Sequence, residues 1–310
     1  HQRPVQAIDR WRGRDLVNAM QRKKESIGDR AFNACNVALM IVVIFVTLYP
    51  FWYVVVCSFS SIAHVIGNGF ILWPDGLHVE AYQQIFRNNL VPTGYRNTLL
   101  ITGVGTILSM AISVTGAYAL SVKKLPGRTG ITFFVVFTML FSGGMVPTYL
   151  VVCQLKLVDT LWALILPSAV NAYNVILLRN FFQSVPDELY EAASIDGITA
   201  GGYLWRIMLP LSSASIATIG MFYAVSYWNA YFNAVIYIRD STLWPMQMIL
   251  RQILMTNQFN TMMYDDAAQS LASETLKNAM IVITVLPIVC VYPFIQKYFV
   301  KGIMVGSLKG

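Results

Sequence analysis

The chain has 310 residues, of which 56% are hydrophobic and only 12% charged. Soluble domains carry about 25% charged residues, so this composition excludes an ordinary water-soluble globule. The net charge of +7 would suggest a nucleic-acid partner in a soluble protein, but in so apolar a chain the positive-inside effect explains it and no nucleic acid is expected.

The first 35 residues form a basic arm containing Arg3, Arg10, Arg12, Arg14, Arg22, Lys23, Lys24 and Arg30. A secretory signal would place a short apolar core nearer the start, so the first apolar run reads as a retained span. The arm suits a surface helix within 9–26 lying on anionic lipid. A plain topogenic signal accounts for the same charges.

Uninterrupted apolar stretches of the ~20 residues needed to cross a bilayer occur at 36–58, 97–120, 130–152, 161–180, 212–236 and 278–299. None has Asp, Glu, Lys, Arg or His in its central part. A charge there costs about 2.5–3.5 kcal/mol on the insertion scale, so the pattern fits helical spans. Pro50, Pro147, Pro167, Pro287 and Pro293 and the pair Gly143-Gly144 lie inside these stretches and are expected to kink or unwind them. Cys35, Cys57, Cys153 and Cys290 fall in or beside apolar runs without C-x-x-C spacing, and His1, His64 and His78 are scattered. They indicate neither a disulfide frame nor a metal site.

Lys and Arg set the expected orientation. One set of alternate sides holds the basic arm, Lys123, Lys124 and Arg128, then Arg179 and Arg206, and finally Lys297, Lys301 and Lys309. The other holds only Arg87, Arg96, Lys156, Arg239 and Arg251, with Lys277 at a boundary. Both termini are therefore expected in the cytoplasm, the side that also holds loop 183–211. The external loops are 59–96 and 238–277. The first contains the turn cluster Trp73-Pro74-Asp75-Gly76 and a short helix expected at 79–86. The second contains Trp244-Pro245 and a polar stretch at 257–273. Either could bind an external partner or simply connect helices.

Loop 183–211 is a polar, helix-forming island. Pro186 suits a first helical turn, and Asp187 and Glu188 carry the sign a helix N-terminus favours. Leu189, Ala192, Ala193 and Ile195 can share an apolar face, Gly197 stops the helix, and Thr199 can cap a second one. Local chemistry alone is equally compatible with an amphipathic segment on the bilayer, Trp205 and Arg206 lying at the headgroups.

The spacing Glu191-Ala192-Ala193, Gly197, Ile207, Leu209-Pro210 matches the signature loop of membrane subunits of ATP-binding-cassette importers. With the six stretches, Trp228-Asn229, Tyr298-Phe299-Val300-Lys301-Gly302 and the ending Gly306-Ser307-Leu308-Lys309-Gly310, the chain resembles MalG-type, MetI-like permeases for carbohydrate uptake. The basic arm and Arg251-Gln252-Ile253-Leu254 are more similar to the branch for complex or acidic oligosaccharides, including alginate-type permeases.

This resemblance implies an all-α membrane protein of the bacterial cytoplasmic (inner) membrane, with a six-helix permease domain at 36–299 and a cytoplasmic tail at 300–310. It implies transport of a sugar or oligosaccharide by alternating access. The implied partners are a second homologous permease, two ATPase subunits, an extracytoplasmic solute-binding protein and membrane lipid. ATP and Mg would be bound by the ATPases, with no cofactor, metal or catalytic residue in this chain. Glu191, Ala192, Ala193, Asp196 and Gly197 would form the ATPase-docking loop.

The absence of a G-x-x-x-x-G-K-[ST] loop agrees with a chain that does not bind ATP itself. An ion-gradient-driven secondary transporter is the alternative, but such proteins usually hold ionisable groups within the membrane. Asn171, Tyr173 and Asn174, with Tyr223, Tyr227, Trp228, Asn229 and Asn233, combine amides and rings of the kind sugars use. The same groups join helices and anchor interfaces, so both roles stay open for Asn171, Tyr173, Asn174, Tyr227, Trp228 and Asn229.

Overall fold

The computed structural model describes residues 27–67, 71–87, 89–263 and 274–293, which are largely helical with no strand among them. The surface helix expected within 9–26, part of the polar stretch 257–273, and the tail 300–310 fall outside the described residues. The chain divides into two compact units between Tyr53 and Val54, inside the first helix.

That helix, α1 (Ile27–Phe59), runs through Pro50 without a break. From Val37 to Tyr53 it carries no charged residue and is apolar around its circumference, with Met40, Phe45 and Phe51 exposed. An all-round apolar surface suits lipid or another membrane helix and is unfit for water. Phe45, Tyr49 and Tyr53 follow one another at i,i+4 spacing with ring centroids 5.9 and 6.1 Å apart.

The second unit continues with α2 (Ile62–Gly67), α3 (Glu80–Arg87), α4 (Leu90–Ser121), α5 (Arg128–Leu140), α6 (Met145–Gln154), α7 (Trp162–Ser168) and α8 (Ala172–Gln183). There follow α9 (Asp187–Ile195), α10 (Ala200–Leu211), α11 (Ser213–Trp228), α12 (Phe232–Tyr237), α13 (Met246–Met263) and α14 (Glu274–Pro293). The short external helix expected at 79–86 is α3, displaced by one residue.

The organising element is α4, which packs against α8, α11 and α13. Its buried stripe runs through Gly94, Thr98, Ile101, Gly105, Ser109, Ser113 and Ala117, residues that recur every three or four positions on one face. Small residues let helix backbones approach closely where no water drives the association. A Cβ on Gly105 would lie 2.8 Å from the Tyr227 ring, and one on Gly94 would lie 2.3 Å from Ile249 Cδ1. Thr98 Oγ1 accepts a hydrogen bond from Met246 N at 2.8 Å, which fixes the start of α13. A second apolar cluster joins Ile85, Val91, Met246, Ile249, Ala279, Met280 and Ile283.

Among the described residues, only α1, α4 and α14 are single helices long and apolar enough to cross a membrane. Three further pairs of helices meet that test only in combination, and each pair is bent. Between α5 and α6 the chain turns by 112°, between α7 and α8 by 51°, and between α10 and α11 by 86°. The stretch expected at 130–152 is thus two short helices. Gly144 lies at the break with φ 87, a conformation L side chains rarely adopt. The stretch expected at 161–180 breaks before Asn171, whose Oδ1 caps α8 by accepting from Asn174 N at 3.1 Å. The stretch expected at 212–236 ends its main helix at Trp228, and α12 follows after a turn. The connector between α6 and α7 is fastened to the end of α12 by Asp159, which has a positive φ of 59. Its Oδ1 accepts from Arg239 N at 2.5 Å and Asp240 N at 3.1 Å.

Candidate functional site

The loop 183–211 folds into an elbow seated on the C-terminal end of α4. Pro186 occupies the cap position just before α9, one residue ahead of the expected first turn, and Asp187 and Glu188 lie in that turn. The end of α9 satisfies its carbonyls in the Schellman pattern. Gly197 N donates to Ser194 O at 3.2 Å and Ile198 N to Ala193 O at 2.9 Å, with Gly197 at φ +75. Thr199 then caps α10, its Oγ1 accepting from Gly202 N at 3.2 Å. Both punctuation marks expected from the residue types are therefore present.

The elbow is tied down from several directions. Lys123 pairs with Asp187, and both side chains are exposed. Tyr118 Oη donates to Ala200 O at 3.0 Å, and α8, which leads into the elbow, is joined to α4 by Arg179 Nε donating to Leu120 O at 3.2 Å. The rings of Tyr190 and Tyr203 meet edge to face at 5.1 Å. Ala193 (4% exposed), Tyr203, Leu204 and Met208 join the main core, with Ile198 packed beside them.

This anchoring divides the expected apolar face. Ala193 points into the protein and is unavailable to any other surface. Glu188, Glu191, Ala192 and Ile195 lie at i, i+3, i+4 and i+7 and are all exposed, so they form one outward stripe. Asp196 and Gly197 are exposed at its end. Ile195 (87%) presents a large apolar surface within this stripe, and Trp205 (71%) presents another on α10. The helical period already places Ile195 in the stripe. Trp205 has no such local signal, since it sits in a π-helical turn spanning Leu204–Met208.

The residues considered for a sugar path separate into two groups. Tyr227 is 2% exposed, and its hydroxyl is committed: it lies 2.9 Å from Ser109 Oγ and donates to Ile165 O at 3.0 Å. Tyr223 is likewise buried, sharing a hydrogen bond with Ser113 Oγ at 2.7 Å and accepting from Asn171 N at 3.1 Å. Asn174 is buried, and so is Trp228 (7% exposed), whose Nε1 has no hydrogen-bond partner among the described residues. Asn171, Tyr173 and Asn229 are exposed. Asn233 Nδ2 donates to Ser168 Oγ at 3.3 Å. The tyrosine hydroxyls thus join α4, α7, α8 and α11, while the exposed Asn171 caps α8 and the exposed Asn229 bonds Val225 O and Gln247.

Residues 17–305 match the family model described as the binding-protein-dependent transport system inner membrane component. The chain belongs to this family. The permease is 43% identical over 286 residues to the polygalacturonan/rhamnogalacturonan transport system permease protein YtcP of Bacillus subtilis (strain 168), with 91% of this chain and 99% of the relative covered. It is 44% identical over 285 residues to protein LplC of the same organism, covering 91% and 96%. Its fold matches a chain in the crystal structure of a bacterial ABC transporter involved in the import of the acidic polysaccharide alginate. That match has a TM-score of 0.80 and 34% identity, and it covers 88% of this permease and 98% of the other chain. The MetI-like permease resemblance is confirmed, and the permease is a membrane component of an ABC importer.

Proposed function

We propose that this permease imports an oligosaccharide across the bacterial cytoplasmic membrane by alternating access, crossing the bilayer six times with both termini in the cytoplasm. A second homologous permease would complete the pathway, and two ATPase subunits would bind ATP and Mg and drive it. An extracytoplasmic solute-binding protein would deliver the sugar. The domains are an arm at 1–35, a permease domain at 36–299 and a tail at 300–310.

The observation that carries this reading is the outward stripe of Glu188, Glu191, Ala192 and Ile195 on a helix clamped to the end of α4. A short helix projecting charges and an apolar tip, held rigidly at its back, can transmit a displacement to the helix it rests on. Glu191, Ala192, Asp196 and Gly197 are its docking residues, with Ile195 and Trp205 supplying apolar area. Ala193 acts from behind by fixing the elbow to the core. The ATPase cycle shifts the permease only if these contacts differ in energy between the inward and outward states. Names of the relatives support an oligosaccharide cargo. Among the described residues the buried polar side chains are hydroxyls and amides, which gives the ion-gradient alternative no buried carboxylate or imidazole to carry a proton.

The test is reconstitution in proteoliposomes. Uptake of sugar should require ATP, both ATPase copies and the binding protein, while the isolated permease hydrolyses no ATP. Uptake driven by an imposed proton or sodium gradient without ATP would refute the reading.

A further inference from the structure

We propose that Arg251, lying over the Tyr231 ring beside the amides of Asn229 and Gln247, recognises a carboxylate-bearing sugar ring as an oligosaccharide enters the permease. This rests on the importer reading above and adds a site and a ligand chemistry to it.

The Arg251 guanidinium carbon lies 5.6 Å from the centre of the Tyr231 ring. Arg251 is half-buried on α13, yet it makes no ion pair with any carboxylate among the described residues. A cation withdrawn from water is ordinarily paired, because its desolvation is otherwise uncompensated. A cation–π contact at this distance uses none of the guanidinium N–H groups, and those edges are the ones that grip a carboxylate in bidentate fashion.

The surroundings are held in place before any ligand arrives. Gln247 lies one turn earlier on α13, and its Nε2 donates to Asn229 Oδ1 at 3.3 Å. Asn229 Nδ2 donates to Val225 O at 2.9 Å, and Tyr231 N donates to Asn229 O at 2.8 Å. These bonds link the end of α11, the Tyr231 ring and one face of α13 into a single polar cluster. The seat of α13 is itself fixed by the Thr98 bond to Met246 and by Ile249 lying over Gly94. Trp228, next in sequence to Asn229, is buried with its Nε1 unpartnered among the described residues. An aromatic face for sugar C–H bonds, amides for hydroxyls and a guanidinium for a carboxylate are the groups a uronic acid requires. In the proposed orientation the cluster sits toward the external side, where the sugar is handed over.

The experiment uses the complete importer in proteoliposomes with saturating binding protein. The probes are trigalacturonate and its fully methyl-esterified form, which lacks the negative charges. Arg251→Gln should lower uptake of the acid about tenfold or more while leaving the ester unchanged, and Arg251→Lys should fall between. Tyr231→Phe, which keeps the aromatic ring beneath the cation, should retain the preference for the acid. The acid-to-ester ratio is the readout, because a folding defect would lower both rates together. Equal loss on both probes, or no loss on the acid, overturns the proposal. Wild-type uptake confined to neutral sugars also overturns it and leaves the importer reading standing. Absence of any ATP-dependent sugar uptake overturns the importer reading itself.

Discussion

At position 105 a single hydrogen separates a close helix contact from a clash. A methyl on Gly105 would press on the Tyr227 ring, whereas one on Gly103 meets nothing within 4 Å. Gly105→Ala should therefore destabilise the permease by about 1–3 kcal/mol, as overpacking does. Gly103→Ala should be neutral or slightly stabilising, by up to about 1 kcal/mol from helix propensity. Thermal unfolding of the two variants in the same detergent checks the contrast. The Tyr227 hydroxyl makes a second case, because Tyr227→Phe strips a partner from both Ser109 and the Ile165 carbonyl. Interhelical hydrogen bonds in membranes average about 0.6 kcal/mol, and the orphaned carbonyl adds to the loss, so about 1 kcal/mol is expected. Adding Ser109→Ala should cost less than the two single losses combined, since both remove one shared bond. Asp159, outside the spans, brings in pH. The backbone N–H groups of Arg239 and Asp240 hold its carboxyl below the usual carboxylate range. Its depressed value means the clamp is fully present above the unfolded carboxylate pKa of ~3.9 and is lost as pH falls through the lower folded value. Hydrogen exchange at Arg239 and Asp240, measured against Asp159→Asn, should show protection retained at pH 5 and lost only in stronger acid.

Among the elements, the α9–α10 elbow separates contacts that position from contacts that would bind. The Lys123–Asp187 pair is exposed on both sides, and such pairs are worth about 0–1 kcal/mol. Asp187→Ala should accordingly leave stability and transport nearly unchanged. Gly197 is different. A Cβ added there would meet nothing within 4 Å, so space is not the constraint, but its φ of +75 is. Gly197→Ala should cost about 1 kcal/mol in backbone strain and lower the coupling of ATP hydrolysis to uptake more than it lowers folded yield. Much of this elbow was legible in the sequence, because Gly197 and Thr199 act within a few residues of themselves. The inward turn of Ala193 was not, since it depends on a core assembled from α4, α8 and α10. The break at Gly143-Gly144 could be expected from the residue types, but its angle could not, because two glycines permit many turns and neighbouring helices select one.

For the molecule as a whole, composition reveals a membrane protein, and the docking spacing leads to a family that the comparisons confirm. Composition could not say which aromatic and amide groups serve packing. Tyr223 and Tyr227 find their partners on α4, more than a hundred residues away, where only the assembled fold brings Ser113 and Ser109 to them. The proposed six-span topology predicts that, in an otherwise cysteine-free protein, a cysteine at Asp196 is labelled only from the cytoplasm and one at Asp75 only from outside. Reversed or two-sided labelling would refute it. The central claim, that the outward face of α9 holds the ATPase, is tested most directly by affinity purification of the tagged permease from membranes containing the whole importer. Wild type and Asp187→Ala should retain the ATPase subunits, while Glu191→Arg and Ile195→Glu should lose them with thermal stability unchanged. Equal ATPase retention in all four proteins would contradict the account.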